Sequence, residues 1–166
     1  MGRMVFVPLS RARALALRET GPLADELVGY AATDSLMQAH DYDASTLEDA
    51  EFAALCYAGV HAVVEASSEP TRLIVAADLT SAQASVAAGD AHGRVLVRDL
   101  RWADVQALFS DEEAAAADVA AARAAAGGLA LTDALAVSAV ETVLEEHDLL
   151  WFAPEELDQL RSAAGH

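Results

Sequence analysis

Arg72 to Leu79, R-L-I-V-A-A-D-L, constrains the fold more than any other stretch of this chain. The run follows Pro70, is rich in branched side chains and shows no alternation of apolar with polar residues. A strand with one wet face alternates at a period of two, so a continuous run fits a strand covered on both faces, as in a parallel sheet. Met4–Val7, stopped by Pro8, and Arg94–Arg98 read as strands beside it, with helical patterns between them. The economical expectation is a single α/β domain over 1–166, with 54% hydrophobic residues to supply its core. Its sheet is expected to be mostly parallel, of roughly four to five strands flanked by helices. A helical C-terminal third, 129–163, is expected to pack on it.

Taken in order, Ser10 is placed to cap a helix over Arg11–Arg18 that Gly21-Pro22 ends. Leu27–Ala32 reads as a strand interrupted by Gly29, and Thr33-Asp34 as the start of a short helix, Ser35–Ala39. Ser45 and Glu48 form a capping-box signature for a long helix. Its positions Phe52, Leu55, Cys56, Gly59, Val60 and Val63 recur at three- and four-residue steps and are expected to face the sheet. Beyond the central run come a loop with a short edge strand at Ala84–Val86, a turn at Arg101–Asp104, and Val105–Phe109 as a fifth strand or helix end. Ser110 and Glu113 make a second capping box before an alanine-rich helix ended by Gly127-Gly128. Two helices follow, the second opening at Pro154, with Leu149-Leu150-Trp151-Phe152 as the connecting segment.

The formal net charge is −17, from 27 acids against 10 bases, and every base is an arginine. Such a surface repels phosphate backbones, which argues against nucleic acid and favours a basic partner. Between Asp34 and Glu69 the acids Asp34, Asp41, Asp43, Glu48, Asp49, Glu51, Glu65 and Glu69 occur without one arginine. The single cysteine, Cys56, allows no intrachain disulfide and fits a reducing cytoplasm. No stretch of about 18 apolar residues and no leader pattern is present, so neither membrane insertion nor secretion is expected. The absence of lysine and the abundance of alanine match the codon usage of a GC-rich genome.

Four segments carry a resemblance: M-V-F-V-P at Met4–Pro8, E-D-A-E-F-A-A-L at Glu48–Leu55, L-I-V-A-A-D at Leu73–Asp78, and L-L-W-F-A-P-E-E-L at Leu149–Leu157. They resemble a family of small, acidic, uncharacterised proteins of high-GC Gram-positive bacteria, a domain of unknown function, over nearly the whole chain. The resemblance implies one cytoplasmic domain and assigns no activity and no site residue.

In open parallel sheets ligands bind beyond the carboxyl ends of the strands. Ser10, Asp34, Asp78, Asp99 and Asp111 each follow an expected strand, and Arg11 or Arg13 would bring positive charge to the same crevice. Paired carboxylates there would suit a divalent cation or acid–base work. The same residue types are what strand-to-helix turns use as N-caps. Of the histidines, His40 sits in a polar H-D-Y-D loop, His61 shares a helix stripe with Tyr57 and Glu65, and His147 lies among Glu145, Glu146 and Asp148. His92 is in a glycine-flanked loop and His166 at the end of the chain. Trp151 and Phe152 either dock the end of the chain onto the core or stand out as an aromatic anchor for a partner. No G-x-G-x-x-G, G-K-[ST], G-x-S-x-G or H-E-x-x-H occurs in a fitting context.

Three readings follow. The first is a non-enzymatic cytoplasmic interaction or regulatory protein, with a protein partner at Trp151 and Phe152. The alternative is a small-molecule or divalent-metal-binding enzyme that uses Ser10, Arg11, Asp34, Asp78 and Asp99. The third is a structural subunit or homodimer. No catalytic residue, cofactor or metal ligand is assigned.

Overall fold

The computed structural model describes residues 2–65 and 69–160. The expected helix end at 161–163 and His166 lie outside the described residues. Seven strands are present: β1 (Arg3–Pro8), β2 (Leu27–Ala31), β3 (Leu73–Leu79), β4 (Ala84–Val86), β5 (Arg94–Val97), β6 (Val105–Ser110) and β7 (Leu150–Phe152). They form one sheet in the order β4-β5-β2-β1-β3-β6-β7, and every neighbouring pair is antiparallel.

The expected mostly parallel sheet of fewer strands is thereby overturned, and the reason lies in what covers the sheet. Helix α1 (Arg11–Thr20) and the 3-10 turn Pro154–Gln159 lie on one face, where Val5, Val7, Val75 and Ala77 meet Ala14, Leu17 and Leu157 in one core. Helix α3 (Leu47–Val64) lies on the other, where Phe6, Ile74 and Ala76 meet Ala50, Ala54, Ala58 and Ala62. A continuous apolar run reports that both faces are dry and says nothing about the direction of the neighbours. The connection between β2 and β3, made by α2 (Asp34–Ala39) and α3, does join two strands of like direction. Strand β1 is inserted between them and pairs antiparallel with both, a split crossover.

The sheet also curls. Five steps of strand spacing would hold β4 and β6 roughly 24 Å apart if it were flat. Yet Gln83, just before β4, donates through Nε2 to the Asp104 carboxylate, just before β6, at 2.9 Å. Gly29, expected as an interruption of β2, belongs to the strand, and a Cβ there would stand 2.6 Å from Val5 Cγ1 on β1.

Helix α3 is apolar around most of its circumference because it is the middle layer. Its alanines meet the sheet, while Val60 and Val63 meet α4 (Ala116–Ala126), α5 (Leu131–Ala134) and α6 (Ser138–Glu146) in a separate core with Val119, Ala122, Val140 and Val143. Phe52, expected against the sheet, is instead 58% exposed, since the alanine stripe beside it makes the contact. The capping box before α3 is built by Asp43 and Thr46 around a 3-10 turn, Ala44–Thr46, rather than by Ser45 and Glu48. Ser110 caps no helix; it ends β6 and its hydroxyl donates to the Arg72 carbonyl at 2.6 Å. The last third holds α5, α6, β7 and a 3-10 turn in place of two longer helices.

Candidate partner-binding edge of the sheet

The connecting segment before Pro154 is a strand, and its position sets the site. Strand β7 pairs with β6 in the register Leu108↔Phe152, Phe109↔Trp151 and Ser110↔Leu150, and it is the last strand of the sheet. Its outer edge therefore has no strand beside it among the described residues. Side chains alternate across a strand. Phe152 turns inward and packs on the core beneath the sheet, half-buried. Trp151, on the opposite face beside Phe109, is 61% exposed, and Leu150 is 42% exposed.

Two hollows flank this edge. One, of about 310 Å³, is lined by Leu150, Phe152, Ser110, Glu112, Glu113 and Leu160, among others. The other, of about 70 Å³, lies on the Trp151 side, between Phe52, Leu55 and Cys56 of α3 and Leu144, His147 and Leu149. Phe52 and Leu149 line the smaller hollow, and Phe109 and Trp151 are partners across the β6–β7 ladder.

A buried polar clamp holds β7 in place. Arg72 donates from Nη2 to Asp111 Oδ1 at 2.7 Å and from Nε to Oδ2 at 3.0 Å, and its second interaction, from Nη2 to the His147 carbonyl, is 3.2 Å. The His147 ring is bound through Nε2 to Asp118 at 2.7 Å, which fixes the chain three residues before β7 starts. Gly59 makes room for the guanidinium, since a Cβ there would stand 2.8 Å from Arg72 Nη1. Cys56 lies beside this clamp; burial pushes its thiol up, and the nearby Arg72 charge opposes that shift less strongly. A protonated thiol is a poor nucleophile.

A model described as a family of unknown function, DUF6912, matches residues 3–160. The chain belongs to the DUF6912 family. The match takes in every strand of the DUF6912 sheet, β7 included. No curated protein and no solved structure matches the chain.

The strand-end residues of this DUF6912 chain occupy separate places. Ser10 is the N-cap of α1, accepting from the Arg13 amide at 3.1 Å. The Arg11 amide donates to the Glu69 carboxylate at 2.7 Å, and its guanidinium holds the carbonyls of Leu160 and Asp158. Asp34 is exposed in the first turn of α2, whose N-cap is Thr33. Asp78 lies within β3, exposed, opposite Met4 and against Gly2. Asp99 is exposed in a left-handed turn with φ 53°. Because the strands alternate in direction, their carboxyl ends do not gather on one side, and Asp34, Asp78 and Asp99 line none of the five main cavities. Asp111 is the one strand-end acid that is buried, on Arg72.

The histidines also find partners that spacing alone does not give. His61 Nδ1 meets the Tyr30 hydroxyl at 2.9 Å and Nε2 meets Glu65 at 3.2 Å, while Tyr57 turns to His40 Nε2 at 2.8 Å. Burial pushes the Tyr30 phenol up to about 12. Among the described residues no group of three or more His, Cys, Asp or Glu side chains is arranged to hold a metal ion. No helix among them is long and apolar enough to cross a membrane. Sequence reasoning took in Leu150 only as part of the Leu149–Phe152 segment and did not find the exposure of Phe52 or the Arg72–Asp111–His147 clamp. The available signal was an arginine at the head of an otherwise apolar buried run.

Proposed function

We propose that this protein is a non-enzymatic cytoplasmic interaction or regulatory protein that docks a protein partner at the β7 edge. The observation that carries the reading is Trp151. A tryptophan is a large apolar side chain that gains from burial, and here it is 61% exposed on an edge strand, while Phe52 on α3 is 58% exposed. Exposed aromatic anchors at the centre of an apolar strip are the usual energetic focus of protein interfaces. The acidic charge of the chain argues for a basic partner and against nucleic acid or an anionic membrane surface. The lysine-free, alanine-rich composition supports an origin in a high-GC Gram-positive bacterium, and the lone cysteine supports a reducing compartment.

The test is site-specific photo-crosslinking in the native host, with benzoylphenylalanine in place of Trp151, in place of Phe52, and in place of exposed Glu19 on α1 as control. The same adduct from the first two sites and none from the third, competed by excess wild-type protein but not by Trp151→Ala, is the expected result. Absence of any adduct specific to those two sites overturns the reading.

A further inference from the structure

We infer that the partner binds as an added strand: an extended, basic segment of another protein pairs along the outer edge of β7. The inference rests on the docking site proposed above and specifies its chemistry. Backbone N–H and C=O groups alternate in direction along a strand, so those of β7 that do not serve β6 point outward and, among the described residues, serve no other strand. Natural edges are blunted by charged or proline residues, by a cover, or by being very short. Strand β7 is short, but its three residues are Leu, Trp and Phe, with neither a charge nor a proline among them.

Side-chain geometry fits the same occupant. An incoming strand would alternate its side chains between the two faces. One set would lie beside Trp151, the other over the hollow lined by Leu150 and Phe152. Acids outnumber bases around the edge. From Glu145 to Asp158 the chain carries Glu145, Glu146, Asp148, Glu155, Glu156 and Asp158 and no arginine, and Glu112 stands over the larger hollow. Arginines on other segments reach only some of this charge: Arg18 pairs with Asp158, whereas among the described residues no arginine pairs with Glu112, Glu145, Glu146, Asp148 or Glu155. A second copy of this chain would bring the same acids against themselves. An arginine- or lysine-bearing segment with apolar residues between the charges is complementary both to the edge and to its rim.

The probe is a fluorescein-labelled octapeptide of alternating arginine and valine, titrated with the full chain and followed by anisotropy. Three comparisons accompany it: a glutamate–valine twin, an arginine–valine twin N-methylated through its central amides, and the Trp151→Ala protein. Binding that falls about tenfold or more in each comparison, with hydrogen-exchange protection gained at the amides of β7, is the expected result. The methylated twin keeps the charge and loses only the backbone pairing. Equal binding by it means adsorption by charge and overturns strand addition, as does no binding of the parent peptide. Sedimentation that shows a dimer protecting β7 also overturns it, in favour of a second copy. Crosslinking from positions 151 and 52 does not depend on backbone pairing, so its success beside a failed peptide titration would discard the added strand while keeping the docking site.

Discussion

Arg72 and Asp111 face each other on the rung beyond Leu73↔Ser110, and a single carboxylate receives both the guanidinium and the backbone N–H of the same arginine. The amide bond is 2.8 Å and the shortest side-chain bond 2.7 Å, with both side chains almost completely buried. The pair closes the β3–β6 ladder where both strands leave the sheet, and it carries the His147 carbonyl as a third member. Through Nη2 the interior arginine thus holds the segment that leads into β7.

Removing one partner of such a pair leaves an uncompensated buried charge, whereas removing both does not. Asp111→Ala is expected to lower unfolding stability by about 3–5 kcal/mol, and the double replacement Arg72→Met with Asp111→Leu by much less. Urea denaturation of the three proteins checks this. A loss below about 1 kcal/mol for the single variant would mean that water reaches the guanidinium.

Trp151 and Phe152 are neighbours with opposite expected effects on stability. Trp151→Ala removes a side chain that is mostly in water and should change stability by less than about 1 kcal/mol. Phe152→Ala opens a gap against the core beneath the sheet and should cost about 2–4 kcal/mol. Thermal unfolding of the two variants separates them, and equal losses would place Trp151 among structural residues.

Tyr30 links stability to alkaline pH. Its phenol is buried and pushed up to about 12, against a value near 10 in the unfolded chain. A group raised on folding contributes stability that is fully present below the unfolded value and is lost as pH rises through the folded one. Unfolding stability should therefore decline between about pH 10 and 12, and Tyr30→Phe should flatten that part of the profile while costing about 1 kcal/mol at neutral pH from the lost bond to His61. Denaturation midpoints of the two proteins across this range give the comparison.

Gly29 lies on β2 beside β1, with little room for a side chain. An added Cβ would meet Val5 Cγ1 at 2.6 Å, Val7 Cγ2 at 3.2 Å and the Phe6 carbonyl at 3.3 Å, all in the middle of the sheet. Gly29→Ala should destabilise by about 1–3 kcal/mol through overpacking alone, since the backbone there is ordinary strand. A neutral result by chemical denaturation would show that the Val5 side chain or strand β1 can give way by nearly an ångström.

Much of the element layout was legible in the chain itself. The runs at Met4–Val7, Leu73–Leu79 and Arg94–Val97, the helix after Ser10 and the long helix before Glu65 depend on local period and on the turn chemistry of Pro, Gly and Ser, which act within a few residues. Capping was legible only as a location. Asp43 and Thr46 do what Ser45 and Glu48 were expected to do, because several neighbouring polar residues satisfy the same pattern and the exact backbone angles select among them.

Composition and spacing by themselves determined a mixed α/β content, a formal net charge of −17, and where most of the strands and helices begin. Only the tertiary structure decided that the strands run antiparallel, that β1 enters between β2 and β3, that Leu150–Phe152 becomes an edge strand, and that Trp151 faces outward while Phe152 faces in. The physical reason is one of range. Hydrophobic period reports whether a face is dry, a property of nearest neighbours along the chain, whereas strand direction and the exposure of a particular aromatic depend on which distant surfaces meet it.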